Sequence, residues 1–205
     1  MDHLNRLHDL FKQFPGIGPR QAKRFVYFLL GTSDSYRLLL AKEITELASR
    51  VTICNLCFRY FDSKGQDKKH CSVCSDTSRD KESLMVVAKD VDLDAVEKSH
   101  VYKGNYFVLG NTLSLTERDP ESKIRTQELV QTIAERSKSG LKEIILALSL
   151  NSEGENTREF IEGYIAPLVK MHSLKVSILG RGLSTGTELE YSDAETIKNA
   201  LLGRK

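Results

Sequence analysis

Every cysteine in this chain belongs to one of two Cys-x-x-Cys pairs, Cys54/Cys57 and Cys71/Cys74, and no other feature limits the fold so strongly. A two-residue spacer lets one tight turn aim both thiolates of a pair at a single point, and a second pair completes a tetrahedral shell. The thirteen residues between the pairs, Phe58–His70, fall just below the usual ribbon spacing and suffice for a short hairpin or knuckle. The pattern reads as a structural zinc site. Four protein ligands leave no coordination position for water, so the metal holds structure and does no chemistry. Two disulfides are the alternative. The N-terminus, Met1-Asp2-His3-Leu4-Asn5-Arg6, lacks the apolar segment and cleavage site of a secretory signal, and paired motifs in a reducing compartment bind metal. His70 adjoins Cys71, but the shell is complete without it; with Lys68 and Lys69 it reads as an exposed basic loop.

Around this module the hydrophobic periodicity changes character. Leu4, Leu7, Leu10, Phe11 and Phe14 recur at helical spacing before Pro15-Gly16-Ile17-Gly18-Pro19 breaks the chain. A second helix is expected from about Arg20 to Leu30. A third is expected from near Ser33 to Arg50, with Leu39, Leu40, Ile44, Leu47 and Ala48 facing inward. From Ser83 onward Leu84–Val87, Tyr106–Leu109, Ile144–Leu148 and Val176–Leu179 are short continuous apolar runs, as in strands buried on both faces. Helical stretches separate them at about Asp92–Lys98, Ser122–Ser137 and Asn156–Met171, and a last helix is expected over Asp193–Leu202. The fold class is therefore α/β with an all-α N-terminal part, a small zinc module, and a mostly parallel sheet with flanking helices. No Gly/Ser-rich linker interrupts the chain, so the modules are expected to pack directly on one another. No apolar run approaches the roughly 20 residues needed to cross a membrane.

The segment Phe14-Pro15-Gly16-Ile17-Gly18-Pro19 between two helices is the second chemical signal. Its glycines permit positive φ and leave amides uncovered, and the next helix presents free N–H groups at its start. Arg20, Lys23 and Arg24 place cations on the first turns, which is how a sequence-independent grip on a nucleic-acid backbone is built. The plain alternative is an αα-turn punctuated by Pro and Gly. The formal charge of +2 makes no case for a polyanion partner, but residues 1–50 carry eight Lys/Arg against five Asp/Glu, whereas residues 81–205 carry seventeen against nineteen. Any such contact belongs toward the N-terminus.

Other motifs read as ordinary structure. Gly180-Arg181-Gly182-Leu183-Ser184-Thr185-Gly186-Thr187 lacks the Lys of a phosphate loop and is a glycine-rich turn after a strand. Glu153 and Glu155 follow a strand of the α/β part, where a metal site would lie, but two acids alone hold Mg²⁺ weakly and suit a helix N-terminus in any case. His3, His8, His100 and His172 show no ligand spacing.

The segment Phe14–Arg24 resembles a helix-hairpin-helix. Followed by a four-cysteine module, the segment Asp76-Thr77-Ser78-Arg79-Asp80, a small α/β part and the tail Gly180–Tyr191, it resembles the bacterial recombination mediator family RecR over essentially the whole chain. The resemblance implies a Toprim domain, DNA binding, ring-like homo-oligomers (dimer or tetramer), and work with RecO and RecF to load RecA on gapped DNA. It places DNA contact at Arg20 and Arg24, beside Gly16, Gly18 and Lys23. Active Toprim enzymes hold Mg²⁺ with a Glu at the end of the first strand. Here that position is Ala88, followed by Lys89, so Mg²⁺ and nuclease or topoisomerase activity are not expected and no catalytic residue is assigned. Glu153 and Glu155 remain as candidate partner-binding acids. The implied organisation is a helical part over 1–50, a zinc module over 51–80, a Toprim-like domain over 81–190 and a C-terminal helix over 191–205. The implied role is a non-enzymatic recombinational repair factor, cytoplasmic and nucleoid-associated, with no membrane partner. Two other classes stay open: a zinc-containing protein-interaction adaptor that never touches DNA, and a Mg²⁺-dependent Toprim nuclease.

Overall fold

Asp2 starts the first helix of the computed structural model, which describes residues 2–179; the tail motif from Gly180 and the helix expected over Asp193–Leu202 lie outside the described residues. The Asp2 carboxylate accepts from the Leu4 amide at 3.1 Å and caps α1 (His3–Phe11). After α1 the chain turns at Gly16, whose φ of +75° favours a residue without Cβ, and closes with the Ile17 amide donating to the Phe14 carbonyl at 3.1 Å. Helix α2 (Pro19–Gly31) has Pro19 in its first turn, where no intrahelical bond is lost. The Phe11 ring meets Phe25 of α2 edge-on at 5.5 Å, and Ala22 and Val26 are buried beneath it. Helix α3 (Asp34–Arg50) is capped by Ser33, and Arg37 donates to the Leu29 carbonyl at 2.9 Å, fixing the corner with α2.

The inward stripe expected on α3 does not exist as such. The helix buries none of its residues, and Leu39, Ile44 and Leu47 are 56%, 64% and 61% exposed. Helices α1 and α2 satisfy each other, and no described element of this unit covers the stripe.

The chain divides into two units at Val51/Thr52. The division falls after the first residue of β1 (Val51–Ile53), which forms a two-stranded sheet with β2 (Tyr60–Asp62); the short helix α4 (Ser72–Ser75) follows. There follow β3 (Ser83–Val87), α5 (Asp90–Ser99), β4 (Asn105–Val108), α6 (Pro120–Lys123), α7 (Thr126–Ser137), β5 (Glu143–Ala147), α8 (Ser152–His172) and β6 (Lys175–Ile178). The last four strands pair in parallel in the order β4-β3-β5-β6, with Val86 opposite both Phe107 and Leu146.

Alternation along the strands builds two cores. Leu84, Val86, Phe107, Ile144 and Leu146 pack with Leu129 and Ile133 of α7 and with Ile161 and Ile165 of α8. Met85, Val87, Tyr106 and Val108 pack with Leu93 of α5 and with Cys54, Cys57 and Cys71. Each fully buried Leu, Ile or Phe contributes about 1.5–3 kcal/mol, so both faces of the sheet are strongly held. The cysteine module is thus part of the second core.

The helix expected over Ser122–Ser137 is broken into α6 and α7. Arg125 sits at the break: its amide donates to the Leu109 carbonyl at 3.0 Å, and its guanidinium donates to Val108 and Phe58 carbonyls at 2.9 and 3.0 Å. Those bonds pin the chain to the end of β4 and forbid helical continuation.

Candidate metal centre and nucleic-acid interface

The four cysteines converge because two backbone turns aim them. The Phe58 amide donates to the Cys54 carbonyl at 2.9 Å, and the Ser75 amide to the Cys71 carbonyl at 3.0 Å. The turns are tied together by the Asn55 amide on the Lys69 carbonyl at 3.0 Å and the Cys71 amide on the Cys54 Sγ at 3.4 Å. All four Sγ atoms lie within 4.8 Å of one another, and the Cys57–Cys71 separation is 3.7 Å. A disulfide requires about 2.05 Å, and the cysteines are free. Four sulfurs on a tetrahedron with metal–sulfur bonds of about 2.3 Å stand about 3.8 Å apart, so the cluster fits a metal ion. Packed this closely, the thiols set one another's protonation. Hydrogen bonds from Cys57, Cys71 and Cys74 pull Cys54 far below its ordinary value, while the bond to Cys54 pushes Cys57 and Cys74 up. A central cation allows all four to ionise together.

The module is fastened to the sheet as well as to itself. The Val108 amide on the outer edge of β4 donates to the Cys57 carbonyl at 2.8 Å, and the Phe58 ring packs on Phe107 at 5.1 Å. The knuckle therefore closes an edge that would otherwise expose unpaired backbone.

In the first unit, Gly16, Gly18, Arg20, Lys23 and Arg24 all lie on the surface. Gly18 caps α2 in an extended conformation with no side chain over the helix start, and neither Gly16 nor Gly18 has any atom within 4 Å of where a Cβ would stand. The first-turn amides of Arg20 and Gln21 have no intrahelical acceptor. Arg24 reaches Gln21 Oε1 at 3.5 Å, and among the described residues no carboxylate pairs with Arg20, Lys23 or Arg24. Open amides and free cations thus share one helix end, an arrangement that can receive phosphate oxygens.

The candidate acids are placed differently. Strand order reverses between β3 and β5, and ligands of such sheets bind beyond the strand ends at that point. Glu153 and Glu155 stand there, in the first turn of α8, but they do not converge with a third acid. Glu153 accepts from the Thr112 hydroxyl at 3.0 Å, and Glu155 is held by Arg158 at 2.9 Å. The position at the end of β3 is Ala88, buried and without a ligand atom. Among the described residues the only group that could hold a metal is the cysteine cluster. Gly154, between the acids, is compelled by packing: a Cβ would stand 1.9 Å from the Ser149 carbonyl oxygen.

A Toprim domain model matches residues 82–180, and a model described as RecR, C-terminal, matches residues 182–205. Curated relatives named Recombination protein RecR align over 202 residues, 98% of this chain. The protein of Cyanothece sp. is 36% identical with 95% of its own length covered, that of Oenococcus oeni 36% with 96%, and that of Dehalococcoides mccartyi 34% with 93%. The chain belongs to the RecR family.

Within this RecR-family chain, the segment Asp76–Asp80 has a mechanical explanation that sequence alone does not supply. Arg79 donates to both carboxylate oxygens of Glu97 on α5, at 2.7 and 3.1 Å, and to the Gly104 carbonyl at 2.8 Å. Its guanidinium stacks over the Tyr106 ring at 5.3 Å, and the Tyr106 hydroxyl donates to the same Glu97 at 2.7 Å. Arg79 and Arg125 thus staple the segments flanking the cysteines to β4. Their partners lie 17 to 67 positions away in sequence, so no local pattern could have revealed them.

Proposed function

We propose that this chain is a non-enzymatic, DNA-binding recombinational repair factor that acts as a mediator, helping RecO- and RecF-like proteins load RecA on gapped DNA. The observation that carries the reading is the exposed cation set on the open end of α2, which forms no ion pair among the described residues, in a chain whose relatives are named for recombination. The cysteine cluster is read as a structural zinc site, because four thiolates at tetrahedral spacing suit zinc and leave no open position. Cys54, Cys57, Cys71 and Cys74 would hold the ion, which would supply cohesion and no reaction step. The engaged state of Glu153 and Glu155 and the loss of a ligand at Ala88 favour a docking surface over a Mg²⁺ centre. The division of labour follows the sequence boundaries, with DNA contact in 1–50, the metal in 51–80, docking in 81–190 and the tail in 191–205. A cytoplasmic, nucleoid-associated location accords with this role; among the described residues no helix is long and apolar enough to cross a membrane.

The exposed stripe of α3 supports self-association. Tyr36, Leu39, Ile44 and Leu47 of this one helix are 44–64% exposed, and a second copy of the chain is their proposed cover. Ile44→Asp with Leu47→Asp is expected to shift the sedimenting species from dimer or tetramer to monomer while leaving far-UV circular dichroism unchanged. A wild-type chain that sediments as a monomer at high concentration would contradict this.

The mediator reading is tested by RecA assembly on gapped DNA in the presence of RecO- and RecF-like partners. Wild-type chain is expected to accelerate assembly, and Arg20→Ala/Arg24→Ala to lose most of that acceleration. No stimulation by the wild type would overturn the reading.

A further inference from the structure

A groove of about 470 Å³ runs between α1 and α2 beside the phosphate-gripping end of the second helix. Its volume falls in the range, about 300–1,000 Å³, of sites that take a ligand of nucleotide size. Arg20, Lys23 and Tyr27 line it from α2, three and then four residues apart, so they stand one above another on the same helix face. Leu4 of α1 and the buried Val26 supply apolar lining. Tyr27 is 57% exposed, and among the described residues its ring packs on no other aromatic and its hydroxyl has no hydrogen-bond partner. The neighbouring rings are spent differently: Phe25 packs on Phe11, and Phe28 meets Tyr36 edge-on at 6.1 Å.

The groove also contains the Asp2 carboxylate, whose single negative charge is outnumbered by the cations of Arg20 and Lys23, and the His8 imidazole. The Asp2 carboxylate is engaged by the Leu4 amide as the helix cap. His8 Nε2–H donates to the Pro19 carbonyl at 3.2 Å and ties the two helices together at the groove's end.

We infer that this groove binds single-stranded nucleic acid: Arg20 and Lys23 take successive phosphates while an unpaired base stacks on the Tyr27 ring. The chemistry follows from the juxtaposition. Cations in line with an exposed aromatic ring, over an apolar lining, are the elements of a sequence-tolerant single-strand site, because every base has a π-face. A duplex buries those faces in its own stack and cannot use the ring. The inference rests on the DNA-binding reading above and deepens it, assigning the contact to unpaired strand of the kind a gap exposes.

The test uses the full, metal-loaded chain and fluorescence anisotropy with two probes of equal length, oligo(dT) and a fully abasic strand. The abasic strand keeps the phosphates and lacks the bases. Wild type is expected to prefer oligo(dT) by about 5- to 150-fold, the worth of one stacked base. Tyr27→Phe keeps the preference, and Tyr27→Ala binds both probes alike. A strand carrying 5-iodouracil is expected to crosslink to Tyr27 on irradiation. A wild type that binds both probes equally, or a Tyr27→Ala chain that keeps the preference, overturns the inference while the phosphate grip stands. A Tyr27→Ala chain that changes sedimentation but not preference also overturns it and gives the ring to a contact between copies. If wild type binds neither probe nor duplex, the DNA-binding reading itself fails and takes this inference with it.

Discussion

Replacing Cys57 with serine is expected to abolish metal retention and to unfold the segment from Thr52 to Asp80. Structural tetrathiolate sites contribute apparent binding energies of about 10–16 kcal/mol in small metal-dependent domains, and that energy is folding energy. Forfeiting even about 4 kcal/mol would lower Tm by about 8–16 °C in a unit of this size. The damage is expected to spread beyond the module. The Cys57 carbonyl accepts from Val108 of β4, and three of the four cysteines sit in the core under β3 and β4. With the knuckle loosened, the β4 edge loses its cover and aggregation should increase. Elemental analysis should find one metal ion per wild-type chain and almost none in the variant. A variant that keeps its metal and its Tm would show that the cluster is not a closed four-ligand site.

Arg79→Ala should produce the second-largest loss, about 3 kcal/mol, or a fall in Tm of about 6–12 °C. The Arg79 and Glu97 side chains are 10% and 27% exposed, so removing the cation leaves a carboxylate largely shielded from water, together with an unpaired Gly104 carbonyl. The partial exposure of Glu97 sets the figure at the low end for a buried pair. Burial by itself would raise the Glu97 carboxyl, but the Arg79 guanidinium and the Tyr106 hydroxyl outweigh it and hold the group below its ordinary value of 4.5. A depressed carboxylate contributes stability that is fully present above the unfolded value and is lost as pH falls through the folded one. Wild type should therefore lose stability as pH drops below about 4.5, and the Arg79→Ala chain should lose less over the same interval. Chemical denaturation at pH 7 and pH 3.5 measures both. Equal losses for the two proteins would show that this ion pair is not what acid disrupts.

The parts of this molecule that were legible in sequence are those written in local pattern. The cysteine spacing announced a four-ligand cluster, and the four sulfurs lie within 4.8 Å of one another. Continuous apolar runs announced four strands, and all four appear in one parallel sheet within a residue of their expected bounds; the expected burial on both faces fails for β6, an edge strand with no buried residue and with Ile178 44% exposed. Gly16 announced a positive-φ turn. Periodicity misled where it could not say what lies opposite. The stripe on α3 has the spacing of a core face, yet no described element of its own unit covers it. The break between α6 and α7 is caused by Arg125 bonding to carbonyls at Val108 and Phe58, a long-range event with no signature at the break itself. The Arg79–Glu97–Tyr106 network and the groove under Tyr27 were missed for the same reason. Each is built from segments that folding alone brings together.

The central claim is that the open end of α2 grips nucleic-acid phosphates. Its most direct test is DNA affinity of the metal-loaded chain across a salt series, beside Arg20→Ala/Arg24→Ala. Log affinity should fall steeply and linearly with log salt, because each phosphate contact releases counterions. The double variant should bind more weakly at every salt concentration, with a slope smaller by about one for each cation removed. Indistinguishable slopes and affinities for the two proteins, or no binding by either at low salt, would contradict the claim and leave an adaptor that reaches DNA only through a partner.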